Sequence, residues 1–241
     1  MAGGRHWLRW VIGAAVVVVV LAVGGPFIYI HLIEGAAPAP LRLRSSTSPA
    51  ASAAPVSSGS PTAATGGTVA GRWQAGAGSL VGYRVKEVLL GQDNLAVGRT
   101  SSVTGSVTIS GNTVTAASFT VQMATVRSDQ SQRDVQFDGR IMDVAAYPTG
   151  TFTLTRPISL GTVPAVGSVT SYRATGNLAL RGRTRPVTFT LRAERTAAGI
   201  KVSGSIPVVF ADWGIPNPSF GSFVTTQDHG ILEFLLVLAR S

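Results

Sequence analysis

The chain has 241 residues, a formal net charge of +9 and no cysteine. The missing thiols exclude a disulfide framework, an iron–sulfur cluster and a cysteine nucleophile. Arginine supplies nearly all of the positive charge, and the arginines are scattered except at positions 181, 183 and 185. Because the sequence has neither a long basic cluster nor interleaved aromatic residues, we do not expect it to bind nucleic acid.

The N-terminus resembles a membrane anchor. Residues 10–30 carry no charge and include five consecutive valines, and about 20 such residues are needed to cross a bilayer. Arg5 and Arg9 precede this run and Glu34 follows it, so the positive-inside preference keeps residues 1–9 in the cytoplasm. The sequence therefore predicts a transmembrane helix over residues 10–33 and a single-pass cell-membrane protein whose remainder is extracytoplasmic.

A cleaved secretory signal is the alternative for this segment. Ala36 and Ala37 are small enough for a cleavage site, whereas Pro38 and Pro40 suit one poorly. An uncleaved anchor is favoured, and both alternatives deliver the rest of the chain to the outside.

Residues 34–69 have the composition of a linker. Residues 35–68 are almost entirely Ala, Pro, Ser, Thr and Gly, and the larger apolar side chains among them are Leu41, Leu43 and Val56. So little apolar surface does not offset the entropy of ordering the chain. We therefore expect residues 34–69 to be disordered.

Residues 70–241 alternate between apolar and polar side chains, as half-buried strands do. About eight such runs are separated by turn residues. Residues 130–146 break the alternation and end at Tyr147-Pro148, which indicates a short helix. Eight antiparallel strands remove their edges by closing, so we predict an all-β fold: an eight-stranded, lipocalin-like up-and-down barrel with a short helical insertion.

The alternation also predicts which side chains point into the barrel. They are either simply its core or the lining of a binding cavity, and the small residues Ala174, Gly176 and Gly204 suggest that room is left inside. The predicted interior residues are Tyr83, Val85, Phe119, Val121, Met123, Ile141, Phe152, Leu178, Leu180, Phe189, Leu191, Phe210 and Trp213.

Two segments resemble the YceI-like proteins. One is Arg133-Asp134 followed by Asp143-Val144, Tyr147-Pro148 and Phe152, and the other is residues 176–189, GNLALRGRTRPVTF. Residues 79–85 (SLVGYRV), 212–215 (DWGI) and 228–234 support the match, which covers about residues 72–239.

The resemblance implies an exported lipocalin-like barrel whose apolar interior holds a long isoprenoid or similar amphipathic lipid. The sequence departs from the family pattern at Gln136, where the family often has histidine, and at Ile141 and Met142, which replace paired aromatic residues. These changes affect the identity of the ligand rather than the fold.

Catalytic motifs are sparse. His229 is the single histidine of the predicted domain, and we expect it not to form a Ser-His-Asp relay through the adjacent Asp228, because neighbours on a strand point to opposite faces. Asp138 and Asp143 lie in the helical segment and are the weak basis for a hydrolase. We expect no enzyme activity, no cofactor and no metal site.

The sequence leaves three functions open. The leading hypothesis is a membrane-tethered lipid-binding protein, with Arg133 as the candidate contact to a lipid head group if it is not simply paired within the helical segment. The second is an envelope structural or protein-interaction domain with a fully packed barrel, and the third is the hydrolase. The sequence does not decide whether the domain forms a homodimer.

Overall fold

A computed structural model describes residues 37–43, 68–89, 91–219, 221 and 224–241. The predicted transmembrane helix at residues 10–33 and most of the predicted linker lie outside the described residues. Among the helices in the described part of the chain, none is long and apolar enough to cross a bilayer.

The described residues form one antiparallel sheet that closes on itself. The strands are β1 (Gly71–Ala75), β2 (Leu80–Leu89), β3 (Gln92–Thr100), β4 (Val103–Ser110), β5 (Thr113–Gln122), β6 (Thr149–Leu154), β7 (Ile158–Ser159), β8 (Val169–Leu180), β9 (Arg183–Arg195), β10 (Ile200–Val209), β11 (Val224–Thr226) and β12 (His229–Arg240).

The barrel wall consists of eight strands, and some of them are interrupted and form two segments. β1 and β2 both pair with β12, one after the other, and together make one bent strand of the wall. β3 and β4 make the next strand of the wall, because they pair with β2 and β1 respectively. β6 and β7 likewise share β5 as a partner. Pairing of β12 with β1 and β2 closes the ring, which confirms the predicted eight-stranded antiparallel barrel.

β8 and β9 form a hairpin, with Leu180 opposite Arg183. Its two-residue turn has φ of 46° at Arg181 and 71° at Gly182. Positive φ at both central residues matches the right-handed twist of the flanking strands.

The predicted helical insertion is also confirmed. It comprises α1 (Ser131–Gln136) and a π-helical turn (Phe137–Ile141), and it ends before Asp143, where φ is +50°. Two 3₁₀ turns, Met123–Thr125 and Phe210–Trp213, complete the non-strand structure. We call the end of the barrel that carries α1, the π turn, the β8–β9 turn and the 3₁₀ turn at Phe210–Trp213 the helical end. Hydrogen bonds from Arg181 to Gly214 and from Trp213 to Leu178 join the last two, and Arg181 lies over the ring of Tyr147, which follows the π turn.

Residues 37–43, which we call the strap, lie against the outer wall of the barrel. Leu41 and Leu43 are buried there. The Leu41 N–H donates to Glu233 Oε2 at 3.1 Å, and the Leu43 N–H donates to Ser203 Oγ at 3.3 Å. For these seven residues the structure differs from the predicted disordered linker, because the barrel wall supplies the apolar and polar partners that the segment itself lacks.

A charged cluster lies under the strap. Glu233 accepts hydrogen bonds from Arg84 Nε and Arg99 Nη2, each at 2.8 Å. The two guanidinium groups also donate to the carbonyl oxygens of Pro38 and Ala39 in the strap. The side chain of Glu233 is only 4% exposed and that of Arg84 only 10%, so the strap converts a polar patch of the outer wall into a buried ion-pair network.

Candidate functional site

The inside of the barrel contains a cavity with a volume of about 320 Å³ that extends along its length. This volume is at the lower end of the range of ligand sites, about 300–1,000 Å³. The lining is almost entirely apolar, since every strand of the barrel wall points one row of aliphatic or aromatic side chains inward. Its charged members are Glu87 and Arg133 near the helical end and Arg195 near the opposite end.

Most of the predicted interior residues line this cavity. They are Tyr83, Val85, Phe119, Val121, Met123, Ile141, Phe152, Leu178, Leu180, Phe189, Leu191 and Phe210. Trp213 is buried but lies outside the lining, and its indole N–H donates to the carbonyl oxygen of Leu178 at 3.2 Å. Whether the lining residues bind a ligand stays a prediction.

Sequence reasoning missed several aromatic side chains of the lining. Phe137, from the π turn, stacks on Tyr83 with 5.2 Å between ring centroids. Phe234 lies edge-on to Phe189 at 5.8 Å, and Phe189 in turn meets Phe152 at 5.4 Å. Phe137 was missed because it lies in the helical segment, where period-two alternation says nothing about direction.

The expectation that glycine leaves room inside the barrel is wrong at two positions. A Cβ added at Gly176 would lie 2.5 Å from the ring of Phe152, and one at Gly204 would lie 2.6 Å from the ring of Phe234. The neighbouring strand therefore places an aromatic ring over each glycine. Ala174, by contrast, is 1% exposed and does line the cavity.

A polar cluster lies at the helical end of the cavity. Arg133 Nη2 donates to Glu87 Oε1 at 3.1 Å, and Arg133 Nη1 donates to Asp129. Asp134 accepts hydrogen bonds from the N–H and hydroxyl of Ser128, so Arg133 and Asp134 do not pair with each other. Two carboxylates thus surround one guanidinium, which leaves this cluster with an excess of negative charge.

Burial raises the pKa of Tyr83 above its ordinary value, and the nearby Arg133 opposes this shift. Its phenol is therefore neutral at physiological pH. The polar end of the cavity combines this neutral hydroxyl with the paired charges.

Arg140 joins the helical segment to the loop that precedes β11. Its guanidinium donates to the carbonyl oxygens of Asn217 and Pro218 at 3.0 and 3.1 Å. Ile141 and Pro218 both line the cavity. The two elements that Arg140 connects therefore cover the helical end of the cavity together.

The catalytic candidates do not form a site. Asp138 pairs with Arg127 at 3.4 Å, and Asp143 has a positive φ at the end of the π turn. His229 Nδ1 lies 2.7 Å from Asp228 Oδ1. These sequence neighbours can pair because Asp228 precedes β12, so the alternation of side chains along a strand does not apply to it. Both side chains are exposed to solvent, and hydrogen bonding to His229 lowers the pKa of Asp228.

No group of three or more metal-binding side chains occurs within the described residues.

Comparison with known proteins places these features in a family. A family model described as a YceI-like domain matches residues 74–238. A polyisoprenoid binding domain from Saccharophagus degradans, implicated in plant cell wall breakdown, has a TM-score of 0.58 and 15% identity, covering 71% of this chain and 99% of its own. BcnA of Burkholderia cenocepacia has a TM-score of 0.50 and 20% identity, covering 64% and 95%. At these identities the likeness shows the shared barrel fold. No match was found among curated proteins.

Proposed function

This chain belongs to the YceI-like family, and we propose that it is a membrane-tethered extracytoplasmic protein that holds an isoprenoid or similar long amphipathic lipid in its barrel. The observation that carries the proposal is the apolar cavity, which extends along the barrel and has its charged groups near the two ends. A similar fold occurs in the Saccharophagus protein, which is described as polyisoprenoid binding.

The binding energy would come from desolvating the lipid chain. Each buried methylene contributes about 0.8 kcal/mol, so even a short prenyl chain gains several kcal/mol inside the barrel. The cavity favours this function over a fully packed structural barrel, because a packed interior would leave no continuous space between Phe119, Phe152 and Phe189.

The polar end of the cavity favours an uncharged head group. Arg133 is already engaged by Glu87 and Asp129, and a pyrophosphate would have to displace one carboxylate and tolerate the other. A neutral hydroxyl or carbonyl head group needs no such displacement and can hydrogen-bond within the cluster. Arg133 thus acts on the head group as part of a paired network.

The membrane tether is the second part of the proposal. It rests on the uncharged run at residues 10–30 and the arginines that precede it, which predict an anchor with the barrel outside the cytoplasm. An anchored carrier meets lipids of its own bilayer without a search by diffusion.

The lipid proposal can be tested with a cavity-filling variant. The full chain is purified from membranes in detergent, and organic extracts are examined by mass spectrometry. We expect a prenyl lipid with the wild type and strong depletion in Ala174→Leu, because Ala174 lines the cavity. Ala198→Leu, the same substitution at an exposed position in the β9–β10 turn, is the matched control. Equal lipid content in all three proteins would show that the cavity does not hold the lipid.

A further inference from the structure

Thr226 places a hydroxyl group in the barrel without a hydrogen-bond partner. The residue ends β11, is only 6% exposed and belongs to the lining of the cavity. Within the part of the chain that the structure describes, no group hydrogen-bonds to its Oγ1. A buried hydroxyl that lacks a partner costs free energy, and valine has nearly the same shape and suits a strand without that cost. The fold alone therefore does not explain a threonine at this position.

The strand register shows where this hydroxyl lies. Thr226 is opposite Glu87 on β2, and the N–H of the next residue, Gln227, donates to the carbonyl oxygen of Lys86 at 3.2 Å. This bond marks Thr226 and Glu87 as a non-hydrogen-bonded pair, in which the Cα atoms are about 4.5 Å apart and the side chains lie closest together. Both side chains line the cavity. The hydroxyl of Thr226 therefore lies beside the polar cluster at the helical end.

The carboxylate of Glu87 is directed to other partners. Its Oε1 accepts hydrogen bonds from Asn94 Nδ2 at 2.9 Å and from Arg133 Nη2 at 3.1 Å. Glu87 thus holds Arg133 at the cavity end, and the hydroxyl of Thr226 stays open to whatever fills the space next to it.

The backbone of Thr226 is fully paired and holds the side chain in place. Its N–H donates to Ser219 Oγ at 2.9 Å, and its carbonyl oxygen accepts from Asn217 Nδ2 at 3.2 Å. Pro218, between these two residues, lines the cavity, and Arg140 donates to its carbonyl oxygen. The loop that covers the helical end is therefore built onto Thr226, and the hydroxyl lies directly beneath this cover.

We infer that Thr226 fixes the head of the bound lipid by hydrogen-bonding an uncharged head-group oxygen. The inference rests on the lipid carrier of the proposed function and deepens it. A threonine hydroxyl both donates and accepts, so it suits the oxygen of an alcohol or of a carbonyl group. The adjacent carboxylate of Glu87 repels an anionic head at the same position. The lipid then lies with its head under the cover at the helical end and its apolar chain along the cavity.

Thr226→Val tests this contact because it removes the hydroxyl and keeps the shape of the side chain. The full chain, stripped of lipid by detergent exchange, is placed in phosphatidylcholine nanodiscs, and prenyl probes compete with a fluorescent prenyl lipid. The probes are farnesol, farnesal and the hydrocarbon farnesene, which share a prenyl chain but carry a hydroxyl, a carbonyl and no oxygen. We expect Thr226→Val to bind farnesol, farnesal or both about five- to tenfold more weakly, the factor that one hydrogen bond supplies, and farnesene as well as the wild type does.

Two variants serve as controls. Thr225→Val makes the same substitution at the neighbouring, exposed position of β11 and should bind all three probes like the wild type. Thr226→Ser keeps a hydroxyl and should retain most of the affinity for the oxygen-bearing probes. Because the hydroxyl has no partner in the fold, lipid-free Thr226→Val should melt no lower than the wild type.

The outcomes separate this inference from the proposed function. Equal affinities of Thr226→Val and wild type for every probe, or an equal loss for farnesene and the oxygen-bearing probes, would overturn the role of Thr226 and leave the lipid carrier in place. A clearly lower Tm of lipid-free Thr226→Val would assign the hydroxyl to the fold and also overturn the inference. A wild-type protein that binds none of the three probes would overturn both.

Discussion

Replacing Glu233 by glutamine should destabilise the barrel through the cluster beneath the strap. The amide keeps the size of the carboxylate but removes the charge that balances Arg84, whose side chain is 10% exposed. Removing one partner of a buried ion pair typically costs about 3–5 kcal/mol. Arg99 is 23% exposed and can be rehydrated, so we expect the lower end, about 3 kcal/mol.

Thermal unfolding measures this change directly. For a domain of this size, 1 kcal/mol corresponds to about 2–4 °C, so Glu233→Gln should lower Tm by about 6–12 °C. Asp228→Asn, which makes the same charge change at an 85% exposed carboxylate nearby, is the matched control and should leave Tm unchanged.

A double-mutant cycle tests whether the strap is the cause. In the variant with Leu41→Ser and Leu43→Ser, water should reach Arg84, so Glu233→Gln should cost clearly less there than in the wild type. An unchanged Tm in Glu233→Gln, or the same cost with and without an intact strap, would refute the idea that the strap buries this network.

Three further predictions concern the inside and the end of the barrel. Gly204→Ala should lower the free energy of unfolding by about 1–3 kcal/mol in urea titrations, because its Cβ would push the Phe234 ring aside, whereas Gly139→Ala, with open space around it, should not. Since burial raises the pKa of Tyr83, the folded state favours the neutral phenol and stability should fall as pH rises above about 10. Tyr83→Phe should show a smaller alkaline loss of the urea midpoint, and an unchanged pH profile would contradict the assignment. Arg140→Gln should speed transfer of a fluorescent prenyl lipid from the barrel to vesicles, since the two carbonyl contacts that close the helical end are weakened; an unchanged rate would mean that this end is not the exit.

The sequence predicted the barrel because most strands have one polar face. In β2, Tyr83 and Val85 alternate with Arg84 and Lys86, and the first two line the cavity as the pattern requires. A shift of one residue in register would turn the apolar face of a strand outward, so the alternation fixes which side chains face the interior.

The same reasoning failed on β12, where both faces are apolar. Leu232 and Phe234 point inward, whereas Leu235 and Val237 alternate with them on the outer wall, and nothing in this run shows which set is inside. Phe234 was missed for this reason. Glu233 follows the pattern of an outward side chain, yet it is buried because the strap covers it.

The strap itself could not be predicted from its local sequence. Leu41 and Leu43 stand among alanines and prolines, and their hydrogen-bond partners are 192 and 160 residues away along the chain. Local composition indicates disorder when a segment cannot bury its own side chains. Local composition does not reveal that strands far away in the sequence provide a surface on which the segment can bury these side chains.

If residues 10–33 anchor the chain in a membrane as proposed, docking of the strap changes how the linker holds the barrel. A free linker over residues 34–69 would behave as a flexible coil with a root-mean-square length of about 33 Å and would let the barrel turn in all directions. With residues 37–43 on the wall, the free part of such a tether would be residues 34–36, and the barrel would be held close to the proposed membrane. The stability of the contact between Glu233 and the strap would then set how often the barrel is close to the bilayer and how often it moves away from it. Lipid exchange with the anchoring bilayer should therefore slow when Glu233→Gln loosens the strap, even where the cavity itself is unchanged.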